Sequence, residues 1–350
     1  MPKLGGGGAE RVVSTIMRHI NKSKFLVHLI IVQDDGDYLH SLPKEVKVTV
    51  LPVSKVRYAA PSLIKEIRRL NPDIIFSSIR GMSILIGLIK PFIPKQTKII
   101  FREMNTPSES LKYAKNRWFL KMVYNSIYKK ADKIVCQSNY MKQDFINTFN
   151  YKEDKLVQIY NPVDLDLIKD LTKNTISPFP KNQFTRNIIS VGRLSNQKWY
   201  EQLIESLINA KKSNFQIKTW ILGEGHLKDD LIAYASKLGV KDMIEFVGRQ
   251  KNPYLWMTHA DLFILHSRYE GLPNVLLEAI CCGCSPIVTR HPGGTEEIMD
   301  IAGLKGRIKT ELIWEEEWFE KINDENINQV NKTFDVRTII KEYEHFFLRT

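Results

Sequence analysis

What most limits the fold of this chain is a regular alternation of short apolar runs with stretches of helical spacing. Apolar runs fall at residues 25–32, 46–51, 74–76, 98–101 and 133–136, with helical patterns at 61–70 and 140–149. The alternation returns with runs at 187–191, 217–222, 244–247, 262–265 and 286–288 and helical patterns at 200–211, 227–238 and 273–281. Short apolar runs bounded by turn residues suit strands buried on both faces. Strands separated by helices predict parallel sheets with helices on both sides. Two such layers in 350 residues agree with about 150 residues per domain. The expected architecture is α/β, with two Rossmann-like, doubly wound domains facing across a cleft at the carboxyl ends of their strands. The expected boundaries are 1–172 for the first domain, 173–186 for a linker rich in Thr, Asn, Pro and Ser, and 187–330 for the second. Residues 331–350 are expected to pack a final helix back on the first domain, through Val336, Ile339, Ile340, Tyr343 and Phe347.

Composition removes several classes of function. No apolar run reaches the roughly 18 residues of a membrane span, and Met-Pro-Lys-Leu-Gly-Gly-Gly-Gly at the start has no apolar signal core. Cys136, Cys281, Cys282 and Cys284 are too clustered for a disulfide framework and lack a second pair of metal ligands. Buried free thiols and a reducing cytoplasm are the expectation. The net charge of +12 is uneven: residues 1–175 hold 29 Lys+Arg against 16 Asp+Glu, and residues 176–350 hold 22 against 23. All the excess lies in the first half, which points to an anionic partner there. Within 110–131 stand Lys112, Lys115, Arg117, Lys121, Lys129 and Lys130, with Tyr113, Trp118, Phe119, Tyr124 and Tyr128 between them and no acid. A basic, aromatic-bearing helix of this kind suits an anionic membrane surface. It also resembles a nucleic-acid patch, and a solvated cationic helix with inward aromatics has the same pattern. Asp35-Gly-Asp37 reads as a solvated turn rather than a cation site.

The chemistry gathers behind the strands of the second half. The run 262–265 leads into Arg268-Tyr-Glu-Gly-Leu-Pro-Asn-Val-Leu-Leu-Glu-Ala-Ile-Cys-Cys-Gly283. Pro273 fits the first position of a helix, where its missing N–H costs nothing. Glu270 then stands in the loop after a strand, and Glu278 inside the following helix. A helix start carries unsatisfied N–H groups and positive dipole character, which suit a phosphate. An ordinary strand–turn–helix with two solvated acids has the same local pattern. Its neighbours decide: Val191-Gly-Arg-Leu-Ser-Asn-Gln-Lys198, Leu222-Gly-Glu-Gly225, Phe246-Val-Gly-Arg249 and His291-Pro-Gly-Gly-Thr-Glu-Glu297 all follow predicted strands of one domain. Arg193 and Lys198 bring guanidinium and ammonium groups of the kind that bind phosphate. Gly223 and Gly225 leave room for a flat ligand, and Arg249 adds a third cation. In the first half, Gly5 to Gly8 open a helix whose apolar positions are 12, 13, 16, 17 and 20.

With these stretches in order, the chain resembles the retaining glycosyltransferases of family 4, which have the GT-B fold. The matching residues are Gly5-Gly-Gly-Gly-Ala-Glu-Arg-Val12, Asn161-Pro-Val-Asp164, Val191-Gly-Arg-Leu194 with Lys198, Gly223-Glu-Gly225, Phe246-Val-Gly248, Glu270 to Glu278, and Gly293-Gly-Thr-Glu-Glu297. The resemblance implies that Arg193 and Lys198 hold the donor diphosphate and stabilise charge on the leaving nucleotide. It gives Glu270 the hydroxyls of the transferred sugar and Glu278 the ribose. Backbone groups around Gly271, Leu272, Asn274 and Val275 would reach the diphosphate, with Gly223, Gly225 and Arg249 also on the donor side. Gly6, Gly7 and Gly8 would close the cleft from the other domain. The family uses no metal and no cofactor beyond its nucleotide-sugar substrate.

Three departures stand out. Trp199 occupies a position that is usually glycine. The loop after the fourth run reads Phe101-Arg-Glu-Met-Asn-Thr-Pro107, without the histidine common in the family, so Arg102, Glu103 and Asn105 are the candidates to line the acceptor side. Only Met1-Pro-Lys-Leu4 precedes the glycine loop, where the family has an apolar strand. The expectation is that the first, central strand of the N-terminal sheet is missing, which would leave sheet edges on both sides. The function expected is transfer of a hexose or N-acetylhexosamine from a nucleotide-sugar, such as a UDP-sugar, in cell-surface glycan synthesis of the O-antigen or capsule type. The expected acceptor is lipid-linked or a polysaccharide, met on the cytoplasmic face of the membrane, with 111–130 on anionic headgroups and no nucleic-acid partner. The competing readings are a nucleotide-sugar epimerase on the same fold and a basic membrane-binding homologue impaired in catalysis.

Overall fold

The computed structural model describes residues 1–173, 176–180 and 185–350. It divides into two compact units, Met1–Pro162 with Val336–Thr350, and Val163–Asp335. The first unit contains α1 (Gly8–His19), β1 (His28–Ile31), β2 (Lys47–Val50), α2 (Ala60–Leu70), β3 (Ile74–Ser77), α3 (Arg80–Ile89), β4 (Lys98–Arg102), α4 (Pro107–Lys112), α5 (Arg117–Met122), β5 (Lys133–Cys136), α6 (Asn139–Phe149) and β6 (Leu156–Gln158). All pairings are parallel, as intervening helices require. Among the described residues the strands form two sheets, β1-β2 and β3-β4-β5-β6. The first four residues run beside β1: Val32 and Gln33 donate their backbone N–H groups to the Pro2 carbonyl at 3.0 and 2.9 Å. The helix Val336–Arg349 belongs to this unit and lays Val336, Ile339, Ile340 and Tyr343 on Val12, Ile16 and Ile20 of α1.

The second unit contains α7 (Leu165–Leu171), β7 (Arg186–Val191), α8 (Tyr200–Lys212), β8 (Ile217–Leu222), α9 (Lys228–Lys237), β9 (Ile244–Gly248), α10 (Pro253–His259), β10 (Leu262–Leu265), α11 (Asn274–Cys281), β11 (Pro286–Thr289), α12 (Thr295–Ile301), β12 (Ile308–Lys309) and α13 (Asp324–Phe334). Its six strands form one parallel sheet in the order β12-β11-β10-β7-β8-β9. Every residue of β10 and β11 is buried, which is why those runs are continuously apolar. The chain winds outward from β7 through β8 to β9, then restarts on the other side of β7 with β10. The gap between β7 and β10 is therefore the topological switch point, where open α/β sheets place their ligands.

The boundaries differ from the expected ones. Residues 163–172 belong to the second unit, because α7 packs on α10 and α11. Of the expected linker, 173–186, the described residues 173, 176–180 and 185–186 belong to that unit too, and the rest falls outside the described residues. Its Phe179 is buried, 5.6 Å from the Trp220 ring and 5.1 Å from that of Trp256. The chain crosses between units at 162–163 and 335–336, so the motif Asn161-Pro-Val-Asp164 is the crossing itself. On its near side Asn161 is buried in the first unit. On its far side Val163 donates to the Phe334 carbonyl at 2.8 Å, and Asp164 caps α7 by accepting from Leu167 at 3.1 Å.

The basic segment is not one helix either. After α5 it widens into a π-turn over Val123–Ile127 and tightens over Tyr128–Lys130. Tyr124 and Tyr128 are fully buried, and Tyr124 packs on Phe145 and Phe149. Trp118, at 76 % exposure, stays outside with Tyr113 and Phe119. Cys136 and Cys284 are buried thiols as expected, but Cys281 and Cys282 are only partly so.

Candidate active site

The site is built at the switch point from the loops after β7, β10 and β11. The loop after β7 turns at Asn196–Lys198, and the loop after β10 carries His266 to Pro273 into α11. Lys198 Nζ stands 2.6 Å from Glu270 Oε1, joining the two loops across the gap. The Ser267 hydroxyl donates to the same oxygen at 2.5 Å. His266 Nδ1 meets the Lys198 carbonyl at 2.8 Å, so the tautomer with the proton on Nδ1 ties the lysine backbone to the end of β10. The turn after β11 closes the other side: Glu270 N donates to the Pro292 carbonyl at 2.9 Å, and Gly294 N to the Gly271 carbonyl at 2.7 Å. Gly293, at φ 130°, lies so close that a Cβ there would sit 2.3 Å from the Glu270 carbonyl oxygen, so only glycine fits.

The charges here are matched rather than solvated. Glu270 is 6 % exposed, as is Glu278 on α11. Burial alone would push the Glu270 carboxyl up, but Lys198, His291 and the hydrogen bonds from Lys198 and Ser267 outweigh it, and the group lies below the usual carboxylate range. Burial lowers His266 to about 4 and lowers His291 as well, so both are neutral imidazoles at neutral pH. His291 uses both ring nitrogens, on the Thr289 carbonyl and the Thr295 hydroxyl, each at 2.7 Å. The lysine is thus the cation at the gap, on a lattice of neutral donors. An ammonium has three N–H donors, and one of them is committed to Glu270.

The remaining candidates are placed as follows. Arg193 is exposed in the loop after β7. Gly271 and Leu272 line the turn into α11, and the helix begins at Asn274 and Val275, so Pro273 is its N-cap rather than its first residue. Gly223 and Gly225 follow β8, next to β7. Their missing Cβ atoms make room for backbone, since a Cβ at Gly223 would lie 1.9 Å from the Gly192 carbonyl oxygen and one at Gly225 2.1 Å from that of Leu194. Arg249 is exposed at the end of β9, the outer edge strand, two strands from β7 and about 10 Å away at the usual strand spacing. His266 and Ser267 are not among the sequence candidates, and Arg268 enters there only as the first residue of its stretch, without a role. Their signal was position: they are the first polar residues after the apolar run 262–265.

In the first unit, Gly7 is the N-cap of α1, Gly8 its first residue, and Gly6 is exposed before it. Arg102 and Glu103 are buried, at 1 % exposure each, and Met104 and Asn105 of that loop are partly exposed. Arg102 donates to the Ser78 hydroxyl at 2.9 Å and to Asn161 Oδ1 at 2.5 Å. Asn161 Nδ2 donates to Gln137 Oε1 at 2.7 Å, and Gln137 Nε2 to the Glu103 carbonyl at 2.6 Å. Arg80 pairs with Glu103 at 3.2 Å. These side chains brace the carboxyl ends of β3, β4, β5 and β6 from inside the unit rather than lining its surface.

Known proteins match both halves. The pattern of the family described as Glycosyltransferase Family 4 matches residues 6–167, and that of Glycosyl transferases group 1 matches 173–324. The N-acetylgalactosamine-N,N'-diacetylbacillosaminyl-diphospho-undecaprenol 4-alpha-N-acetylgalactosaminyltransferase of Campylobacter jejuni is 32% identical over 306 residues, 84% of this chain and 80% of that protein. The amylovoran biosynthesis glycosyltransferase AmsD of Erwinia amylovora is 25% identical over 280 residues, 78% of this chain and 74% of that protein. The crystal structure of Anabaena Alr3699/HepE in complex with UDP and glucose shares the fold at a TM-score of 0.77 and 17% identity, over 98% of this chain and 96% of that one. With a relative of this identity over most of both lengths, and the second unit's loops meeting at the switch point, the chain belongs to glycosyltransferase family 4 and has the GT-B fold.

Proposed function

We propose that the protein transfers a hexose or N-acetylhexosamine from a UDP-sugar, with retention at the anomeric carbon, to a lipid-linked or polysaccharide acceptor of a cell-surface glycan. The observation that carries this reading is the Lys198–Glu270 contact at the switch point of the second unit. In the reaction the bond between the anomeric carbon and the diphosphate oxygen breaks, and the diphosphate keeps the electron pair. An acceptor hydroxyl bonds to the same face of the carbon, and its proton passes to the departing phosphate oxygen. Lys198 and Arg193 hold the charge that grows on that oxygen, a task that asks for no metal. Glu270 orients Lys198 and reaches the sugar hydroxyls, Glu278 takes the ribose, and the first turn of α11 receives the diphosphate.

The acceptor assignment is supported by the C. jejuni relative, whose name specifies a diphospho-undecaprenol acceptor. It is also supported by the exposed Trp118, Phe119 and Tyr113 among Lys112, Lys115, Arg117 and Lys121, a composition that settles on anionic headgroups at the cytoplasmic face. No helix among the described residues is long and apolar enough to cross a membrane. The test combines UDP-, GDP- and ADP-sugars with a polyprenyl-diphosphate saccharide and reads the anomeric configuration of the product by NMR. A retained linkage that survives EDTA and is lost in Lys198→Ala is the expected result. An inverted linkage, a metal requirement, or full activity in Lys198→Ala would overturn the mechanism. Failure to bind anionic vesicles at low salt would remove the membrane surface.

A further inference from the structure

Trp199, next to Lys198, has a backbone that bulky residues rarely adopt. Its φ is 46° and its ψ 46°, the left-handed region, which favours glycine. A conformation like this persists only where the surroundings over-determine it. Here they do. The Arg268 guanidinium lies over the Trp199 ring, 4.5 Å from its centroid. Arg268 also donates its backbone N–H to the Gln197 carbonyl at 2.8 Å and its Nε to the Asn196 carbonyl at 3.0 Å. Gln197 Nε2 returns a bond to the Tyr269 carbonyl at 3.0 Å, and His266 holds the Lys198 carbonyl. Residues 196 to 199 are thus each fastened to His266, Arg268 or Tyr269. Lys198 and Glu270 are the two side chains that this seam brings together.

We propose that the Trp199–Arg268 stack is a clasp that holds the loop after β7 against the loop after β10, and that Trp199 and Arg268 are positioning residues for the Lys198 ammonium. Glycine at 199 would accept the backbone angles without strain, but it would give the guanidinium nothing to lie on. The tryptophan therefore exchanges an easy backbone for a fixed one. The fixed quantity is the direction of the lysine side chain that leaves the same turn. A cation that must meet a charge developing on one oxygen loses effect when its position spreads.

The catalytic consequence rests on the proposed sugar transfer, whereas the clasp itself is a statement about Lys198. Two readouts separate them. The first is the rate at which Lys198 is acetylated by dilute acetic anhydride on the folded protein, followed by mass spectrometry of the peptide that carries Lys198. Arg268→Ala and Trp199→Gly should raise that rate at least fivefold, while Trp199→Phe, which keeps a ring for the guanidinium, should leave it within twofold of the wild type. The second is steady-state kinetics with the donor that the wild type uses. Arg268→Ala and Trp199→Gly should lower kcat at least tenfold with KM for donor within threefold, and Trp199→Phe should recover most of kcat. Thermal unfolding is the control, and Trp199→Gly should unfold no earlier than the wild type because the left-handed strain is gone. Unchanged acetylation in both disrupting variants overturns the clasp, as does a kcat that follows only the fraction folded. A wild type that turns over no donor, yet shows the acetylation pattern, leaves the clasp standing and removes the transferase reading.

Discussion

The carboxyl strand ends of the two units handle charge in opposite ways. In the first unit, Arg102, Gln137 and Asn161 are buried and bonded to one another in a chain that braces four strands. In the second, Lys198 and Glu270 come from different loops, meet at one oxygen, and sit on neutral donors with an exposed arginine in the same loop. Both arrangements contain an arginine or lysine, a carboxylate and amide or hydroxyl partners. The difference is where the cation ends. The Arg102 guanidinium is fully enclosed, and burial lowers its pKa, so it has no way to act on a ligand and serves as an internal tie. Lys198 keeps part of its side chain exposed and has donors beyond the one given to Glu270. The same residue types make a brace in one unit and a candidate site in the other, according to the solvent left around the cation.

Substitutions can break this comparison on either side. The largest effect should follow Glu270→Gln, which keeps the size of the side chain but removes the charge that holds Lys198. Donor turnover should fall about 10²–10³-fold, the usual loss when one preorganised electrostatic partner is removed, with KM little changed. Steady-state rates check this, and a loss below threefold would show that the pair does not direct the chemistry.

Next comes acid stability. The folded-state pKa of His266 lies near 4 against 6.5 unfolded, so between those values the unfolded chain binds more protons and stability falls as pH falls. The shift corresponds to about 3 kcal/mol, complete above pH 6.5 and lost by about pH 4. The depressed Glu270 carboxyl loses its contribution at lower pH still, below its unfolded value of 4.5. Urea unfolding from pH 7 to 4 should show the slope in the wild type and a flatter one in His266→Gln. Equal slopes would place the histidine elsewhere than in a buried, neutral state.

The brace should respond differently. Asn161→Ala leaves the Arg102 guanidinium and the Gln137 amide each short of a partner, at a cost of about 2 kcal/mol for buried polar groups left unmade. The urea midpoint should drop, while turnover per folded molecule stays within about twofold. Activity lost without stability would turn this network into a second site.

Much of the second unit was legible because β10 and β11 are buried on both faces and read as apolar runs, and because the polar residues of each loop stand directly behind its strand. Lys198 and Glu270 were each legible as candidates because each stands in a loop behind an apolar run, but their ion pair depends on the strand order that sets β10 beside β7. The clasp was not legible. Trp199 stood out as a departure, but its left-handed backbone and its partner Arg268, 69 positions on, depend on two loops meeting in space. In the first unit the sequence misled at Arg102 and Glu103. A charged pair after a strand reads as a surface feature, and nothing local reveals that Asn161, far along the chain, encloses it. The expected linker differs for a related reason: Thr, Asn and Pro mark irregular backbone, yet Phe179 is itself buried against two tryptophans. Helix α3 went unread because Ser83 to Ile89 is nearly all apolar, so its period does not show.

The central claim is that the second unit's switch point binds the donor through Lys198 while the first unit's polar chain serves structure. Thermal unfolding with and without a saturating UDP-sugar, in the wild type, Lys198→Ala and Asn161→Ala, tests it most directly, because a ligand that binds the folded state raises the unfolding temperature. The account predicts a donor-dependent rise in the wild type and in Asn161→Ala, and its loss in Lys198→Ala. A rise that survives Lys198→Ala and vanishes in Asn161→Ala would contradict it.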